Sequence, residues 1–557
     1  MSLIYRVLKG ILHLVKSAMP SEVTNAVQRR IAARVKLELK QELKDELKNE
    51  LKQEVSDELV RQLNLKLGDA LAKVVYAQAA CTVVANGFLS RIKAVVAADS
   101  PQIGKAKVLA QLSEEWRSIV RKTAGLAPTF TVDVEDLISE VLFLKTNANL
   151  LRPVFAALAN KRVLYSGQAY YNAWYLSRAL RIHGWKADVL NWDANPTNQI
   201  YYHGEDFKVG SAGLSTTAEC LEFYVAALYG YDVFHFSNAH GISFGYDIDA
   251  LMVQKFALHL DIHLLKSLGK KIVYSNNGCL DGVSQTSFAK WGPESVCNIC
   301  IWKNNPSVCS DEKNLSWGIF RNEVADYQCL LGGNRVDFND DPRVHELPEF
   351  YCLDSSFWLP DLLIPDAFKL PDAKGAVRLY HAVGHKADRT SDDGVNIKSS
   401  HIYLPLIKHL RADGLQLELI EPTGIPNKEV RYLQAQADIF LDMLTFGWFG
   451  ANAREAMMLG KPVICYIRPE WLASLREELP EYADELPIIS ATPTTVEGTL
   501  RELIANAEMR REVGVRSRAF AVKWHSADAA GIRFDDIYSR LLQGDALLRQ
   551  AGNRVVQ

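Results

Sequence analysis

The chemistry of this chain concentrates between Phe446 and Ile467, where Gly447, Gly450, Glu455 and Lys461 punctuate an otherwise apolar and aromatic stretch. The pattern predicts a glycine-bearing loop, a short helix and a buried strand. A loop that opens a helix gathers free backbone N–H groups at the positive end of the helix dipole, which suits a phosphate-bearing ligand. Gly447 and Gly450 let the backbone come close to such a ligand. Glu455, about one turn further in, can accept hydrogen bonds from sugar hydroxyls, so the segment is equipped for a nucleotide sugar.

A strand predicted at Ala437–Asp442 precedes this segment, and the stretch from Arg378 to Leu410 completes an α/β unit with further anion-binding side chains. It carries His381 and Ala382 at a strand end, then Arg389 and Lys398. In this order the residues resemble the glycosyltransferase family 4 branch of the GT-B superfamily, from about Arg162 to about Leu542. The resemblance implies that Arg389 and Lys398 grip a donor diphosphate after the His381–Ala382 pair. It makes Glu455 the second glutamate of the family's Glu-x7-Glu signature, anchoring the ribose, with Gly447, Trp448, Phe449 and Gly450 as the donor loop. The first glutamate position falls on Gly447, a departure that leaves the sugar-contacting role of that residue unassigned. The family further implies retention of anomeric configuration and no catalytic metal. Asp188 and Asp442 form no Asp-x-Asp pair of the kind that carries a metal-diphosphate in the other main glycosyltransferase fold.

These residues must be positioned by two parallel-sheet units. In the first, strands are predicted at Lys161–Gly167, Ala187–Asn191, Asp232–Phe236 and Lys271–Tyr274, alternating with helices such as the one from Tyr175 to His183. In the second, a strand at Val377–His381, a helix at Ser399–Leu410 and a strand at Leu415–Ile420 lead into the loop already described. The alternation gives an α/β fold, and the resemblance implies that it is GT-B: two Rossmann-like domains facing a cleft, preceded by an α-helical N-terminal extension. An acceptor domain is expected at 159–360 and a nucleotide-sugar domain at 361–545, with a final helix returning towards the first domain. His240 follows a predicted strand end, where open α/β sheets bind ligands, and is either an acceptor-side catalytic residue or a loop histidine without a role.

Cys297 and Cys300 form a CxxC knuckle, with Cys279 upstream and Cys309 downstream. Two thiolates so spaced can bind one tetrahedral ion from a single turn, so the four residues are read as a structural zinc site, with unliganded cysteines as the alternative. The polar and aromatic stretch through Arg321, Glu323, Gly332, Gly333 and Asn334 is a further place where an acceptor site could be shaped.

The N-terminal extension divides into residues 1–20, 21–70 and 71–158. On a helical wheel Leu3, Ile4, Val7, Leu8, Ile11, Leu12, Leu14 and Val15 fall on one side, with Arg6, Lys9, His13 and Lys16 on the other. A helix with an apolar face and a basic, acid-free face suits an anionic membrane surface, or else docks on the protein itself. Leu39, Leu43, Leu47, Leu51, Val55 and Leu59 recur every four residues in the long charged helix, a candidate coiled coil. That spacing drifts about 40° per step and places Lys and Glu in separate like-charge rows. Homo-oligomerisation through these rows and a solvated spacer are both open.

The 557 residues leave room for two ordinary domains plus an extension, and a hydrophobic fraction of 48% builds a core. A net charge of -3 gives no global affinity for nucleic acid. With no bilayer-length apolar run and no signal-peptide pattern, the expected location is cytoplasmic, peripheral on the inner face of the cell membrane. The expected activity is transfer of a sugar from a nucleotide diphosphate donor to a lipid-linked or polysaccharide acceptor. Two alternatives stand beside it: a degenerate GT-B scaffold in a polysaccharide assembly complex, and a nucleotide-sugar hydrolase or epimerase.

Overall fold

Short runs of apolar and β-branched residues, buried at almost every position, are what parallel strands covered on both faces require. The computed structural model describes residues 134–549 except 168–169, 194, 210–216, 238–241, 277–281, 291–294 and 304. The N-terminal membrane-surface and coiled-coil expectations lie outside the described residues. Two parallel sheets are present, as the α/β two-domain expectation required. The first contains β1 (Arg162–Ser166), β2 (Lys186–Asn191), β3 (Phe207–Lys208), β4 (Val233–Phe236), β5 (Lys271–Ser275), β6 (Tyr327–Leu330) and β7 (Val344–Glu346), in the order β3-β2-β1-β4-β5-β6-β7. Its register sets Leu164 beside Phe234 and Phe234 beside Ile272. The second contains β8 (Val377–Tyr380), β9 (Leu417–Ile420), β10 (Ile439–Leu441) and β11 (Val463–Ile464), in the order β11-β10-β8-β9.

The strands predicted for the first unit are found within a residue or two, but β3, β6 and β7 extend the sheet beyond them. Their brevity hides them: β6 reads Tyr-Gln-Cys-Leu, and its buried Gln328 breaks the apolar run that marks the others. The polar stretch before it is a helix, Asp311–Val324, started by Ser310, whose hydroxyl accepts the Lys313 N–H at 3.2 Å. Arg321, on that helix, is buried and donates to the Phe338 carbonyl and to Asn339, which makes it part of the framework.

The last helix, Ala527–Gln543, returns to the first sheet's layer as expected. It packs on helix Asn172–Ile182 so closely that a Cβ on Gly531 would lie 2.9 Å from that of Ala179. Its Tyr538 hydroxyl sits 3.1 Å from the Tyr165 hydroxyl and 2.6 Å from His235 Nδ1. The crossing is pinned where the chain leaves the first sheet: the Leu353 N–H donates to the His525 carbonyl and the Ala527 N–H to the Leu353 carbonyl, both at 2.8 Å. One apolar core runs from Val163 and Tyr165 through Trp358 to Ala453, Met457 and Phe534, joining both halves. A smaller one, including Leu379, Ile407, Leu441 and Leu500, lies under the second sheet. Among the described residues no helix is long and apolar enough to cross a membrane.

Gly333 marks a close approach between the halves. Its φ is +70°, and a Cβ there would overlap the Trp471 carbonyl, whereas Gly375 has φ +86° and open space around it. Gly375→Ala should cost about 1–2 kcal/mol, the left-handed penalty alone. Gly333→Ala should cost about 1–3 kcal/mol more through overpacking. Thermal unfolding of the two variants checks this; equal losses would mean that the approach at Gly333 does not exist.

Candidate functional site

Loops leaving the carboxyl ends of parallel strands converge on one edge, and here the ends of β8 and β10 do so side by side. His381, just past β8, is fully buried. Its Nδ1 lies 3.1 Å from the Leu441 carbonyl and Nε2 lies 2.8 Å from Ser400 Oγ. A carbonyl only accepts, so Nδ1 carries the proton, and burial pulls the imidazole's pKa down, keeping it neutral. His381 thus ties two strand ends to helix Ser400–Ala412 and faces no open space.

The loop after β8 rests on Tyr201 from the first half. The His385 N–H donates to the Tyr201 hydroxyl at 3.2 Å, and a Cβ on Gly384 would lie 3.2 Å from the same oxygen. Arg389, half-buried, closes the short helix Lys386–Arg389. Its charge is near enough to oppose the burial that raises the Tyr201 phenol's pKa.

Lys398 is fixed at both ends. Asn396, itself fully buried, accepts the Lys398 N–H at 3.0 Å through its side chain, and the Lys398 ammonium lies 2.6 Å from Asp442 Oδ1. Asp442 Oδ2 accepts the Gly450 N–H at 3.0 Å, where helix Ala451–Met458 begins. A Cβ on Gly450 would sit 3.1 Å from the Lys398 Nζ, so the bare backbone makes room for the ammonium. Burial alone would raise the Asp442 pKa, but Lys398 and the Gly450 N–H outweigh it and hold the carboxylate below its ordinary 3.8. The strand end, the Lys398–Asp442 ion pair and the helix start meet at one charged, backbone-lined corner.

Glu455 lies one turn along the same helix and is wholly buried. Its carboxylate accepts from Tyr171 Oη at 2.7 Å, Asn427 Nδ2 at 3.0 Å and Gln434 Nε2 at 2.5 Å. Asn427 Oδ1 meets His203 Nε2 at 2.7 Å, and His203 Nδ1 meets the Tyr175 hydroxyl at 2.5 Å. His203 stacks on Trp358 and is held neutral by burial, its pKa lowered to about 3. Burial likewise raises the Glu455 pKa, against the three donors and Arg454, which lower it. In this structure the Glu455 oxygens are occupied by protein donors from both halves.

Trp448 and Phe449 are 2% and 4% exposed and stack on each other at 5.2 Å. Trp448 covers Gly332 of the first half, where a Cβ would lie 2.9 Å from its ring. Gly447 adopts φ +98°, and its carbonyl accepts the Arg468 N–H at 2.9 Å. The expected donor loop therefore splits: Gly450 borders the charged corner, while Trp448 and Phe449 join the interdomain core. His240 and Cys279 lie outside the described residues. Cys297 and Cys300 are half-buried, and burial, reinforced by Cys300 and Cys309 nearby, pushes the Cys297 thiol up to about 11. Cys309 Sγ accepts from Gln285 Nε2 at 3.2 Å and Asn314 Nδ2 at 3.5 Å. Among the described residues no three His, Cys, Asp or Glu side chains are gathered to hold a metal ion.

The structure sets Lys398 beside Gly450 at the start of helix Ala451–Met458, with Glu455 one turn along it, and it adds Asp442, Tyr171, Asn427, Gln434 and Tyr201. Of these only Asp442 carried a local signal, as a carboxylate at the end of a predicted strand. A group whose folded pKa is raised favours folding below its unfolded pKa, and that stabilisation is lost as pH rises through the folded value. Glu455→Gln removes this dependence, and Gln434 can turn its otherwise unpartnered buried Oε1 towards the new amide. Melting temperatures should shift in favour of Glu455→Gln relative to wild type as pH rises from about 4 to about 7. A difference that stays flat over that range would contradict the burial argument.

Compared with known proteins, the sequence matches no family model and no curated protein. In structure the chain is similar to HepE of Anabaena in complex with UDP-glucose, at 12% identity and TM-score 0.40, covering 68% of this chain and 100% of that one. It is similar to sucrose-phosphate synthase of Thermosynechococcus elongatus at 14% identity and TM-score 0.40, covering 69% of this chain and 100% of that one. It is also similar to a glycosyltransferase of Rickettsia africae ESF-5 at 10% identity and TM-score 0.41, covering 70% of this chain and 100% of that one.

Proposed function

We propose that the chain is a glycosyltransferase that moves a sugar from a nucleotide diphosphate donor to a lipid-linked or polysaccharide acceptor, with retention at the anomeric carbon and no catalytic metal. The observation that carries this reading is the Lys398 ammonium set beside Gly450 at the start of helix Ala451–Met458, at the carboxyl edge of the second sheet. In the transfer, the bond between the anomeric carbon and the diphosphate oxygen breaks, its electron pair leaving with the diphosphate, and a new bond forms to the acceptor hydroxyl oxygen, whose proton passes to the departing diphosphate. Negative charge grows on the leaving diphosphate as the bond lengthens. A fixed cation and backbone N–H groups aimed at that charge stabilise the transition state more than the ground state. Arg389, in the loop that Tyr201 holds, is the candidate for a second cation.

Release of nucleoside diphosphate from UDP-, GDP-, ADP- and CDP-type sugar donors tests this. Wild type should release product from one donor. Lys398→Gln keeps an N–H donor for Asp442 and should turn over on the order of 100-fold more slowly, the loss expected for one transition-state charge contact. A folded Lys398→Gln at wild-type rate would remove Lys398 from the chemistry.

The pattern of residues 1–20 supports recruitment to an anionic membrane surface, which would bring a lipid-linked acceptor within reach. Full-length protein should sediment with vesicles containing anionic lipid, and less so as salt is raised. Protein lacking residues 1–20 should stay in the supernatant; equal sedimentation of both would defeat the anchor.

A further inference from the structure

We infer that Asp442 is a positioning residue for the transfer: it holds the Lys398 ammonium at the start of helix Ala451–Met458, facing the diphosphate that leaves. This rests on the transferase reading above and extends it to a residue that touches no substrate. An ammonium beside a helix N-terminus is repelled by the dipole, and the four-carbon stem of lysine would let it move away. Lys398 instead keeps only 12% side-chain exposure, and its counter-ion keeps 2%. One carboxylate holds both groups, the ammonium through Oδ1 and, through Oδ2, the N–H of Gly450, the residue that precedes the helix. The two are thereby referred to a single rigid point at the end of β10. Asp442 accepts a hydrogen bond from one ammonium N–H, which leaves two N–H groups for a ligand. The titratable groups around the pair do not replace it. His381 is held neutral by burial, and burial keeps the Tyr403 and Cys465 groups protonated. Without Asp442, Lys398 loses the contact that orients it.

Asp442→Asn in the full-length chain tests this, with steady-state rates on the donor that the panel identifies and a melting curve to establish folding. The expected result is a kcat lower by on the order of 100-fold, with donor KM changed by less than about threefold. Asp442→Glu should recover part of the rate. Lys398→Gln combined with Asp442→Asn should be no slower than Lys398→Gln alone, since one residue acts through the other. If Asp442→Asn matches wild type while Lys398→Gln is impaired, this inference fails and the transferase reading stands. Losses that multiply in the double variant also overturn it. Wild type that releases no nucleoside diphosphate from any donor and binds no inorganic diphosphate would overturn the transferase reading and this inference together.

Discussion

A carboxylate sealed between two sheets must be given donors that replace water, and the rest of this structure is arranged around meeting that demand at Glu455. Its three donors come from Tyr171, ahead of the first helix of one half, and from Asn427 and Gln434 on the helix after β9 of the other. Hydrogen bonds to a charged group contribute about 1.5–3 kcal/mol each. Stranding the charge by removing a partner costs about 3–5 kcal/mol. The two halves therefore cannot slide past each other without uncovering Glu455. His203 extends the constraint, joining Asn427 to Tyr175 across the same boundary and stacking on Trp358.

What this fixes is the helix Ala451–Met458. One end of it is locked at Glu455, and the loop before it is wedged by Trp448 against Gly332. Only the start of the helix, at Gly450, borders the charged corner made by Lys398 and Asp442. A site that must meet developing charge without reorganising benefits from this division, because the groups that face the ligand are held by groups that do not. The left-handed Ser399, whose hydroxyl accepts the Leu444 N–H at 3.0 Å, and the buried Asn396 serve the same end on the Lys398 side.

The order of elements was legible because it is written locally. The apolar runs of β1, β2, β4, β5, β8 and β10, the glycine-loop-helix-strand at Phe446–Ile467 and the returning last helix each carry their own pattern. β6 and β7 were not legible, since strands of three or four residues with a buried Gln or Glu have no period to detect. Lys398 and Gly450 were picked out by residue type and order. Their link through Asp442 was not, because Asp442 was weighed as half of a metal motif and not as a counter-ion 44 residues from its partner. Tyr171 lies 284 residues from Glu455. No spacing rule reaches that far, so the same glutamate that the sequence presents as open to a sugar is found sealed by protein. The burial of Trp448 and Phe449 was hidden for a related reason: aromatic residues in a glycine loop look ligand-facing in sequence, whatever the other half brings against them.

The central claim is that the anion seat lies at Lys398 and the start of helix Ala451–Met458. The most direct measurement is an experimental structure of the chain with a nucleoside diphosphate bound. The account predicts diphosphate oxygens within hydrogen-bond distance of the Lys398 ammonium and of the backbone N–H groups that open the helix, with Asp442 still paired to Lys398. A diphosphate bound elsewhere, with that corner unchanged and empty, would contradict it.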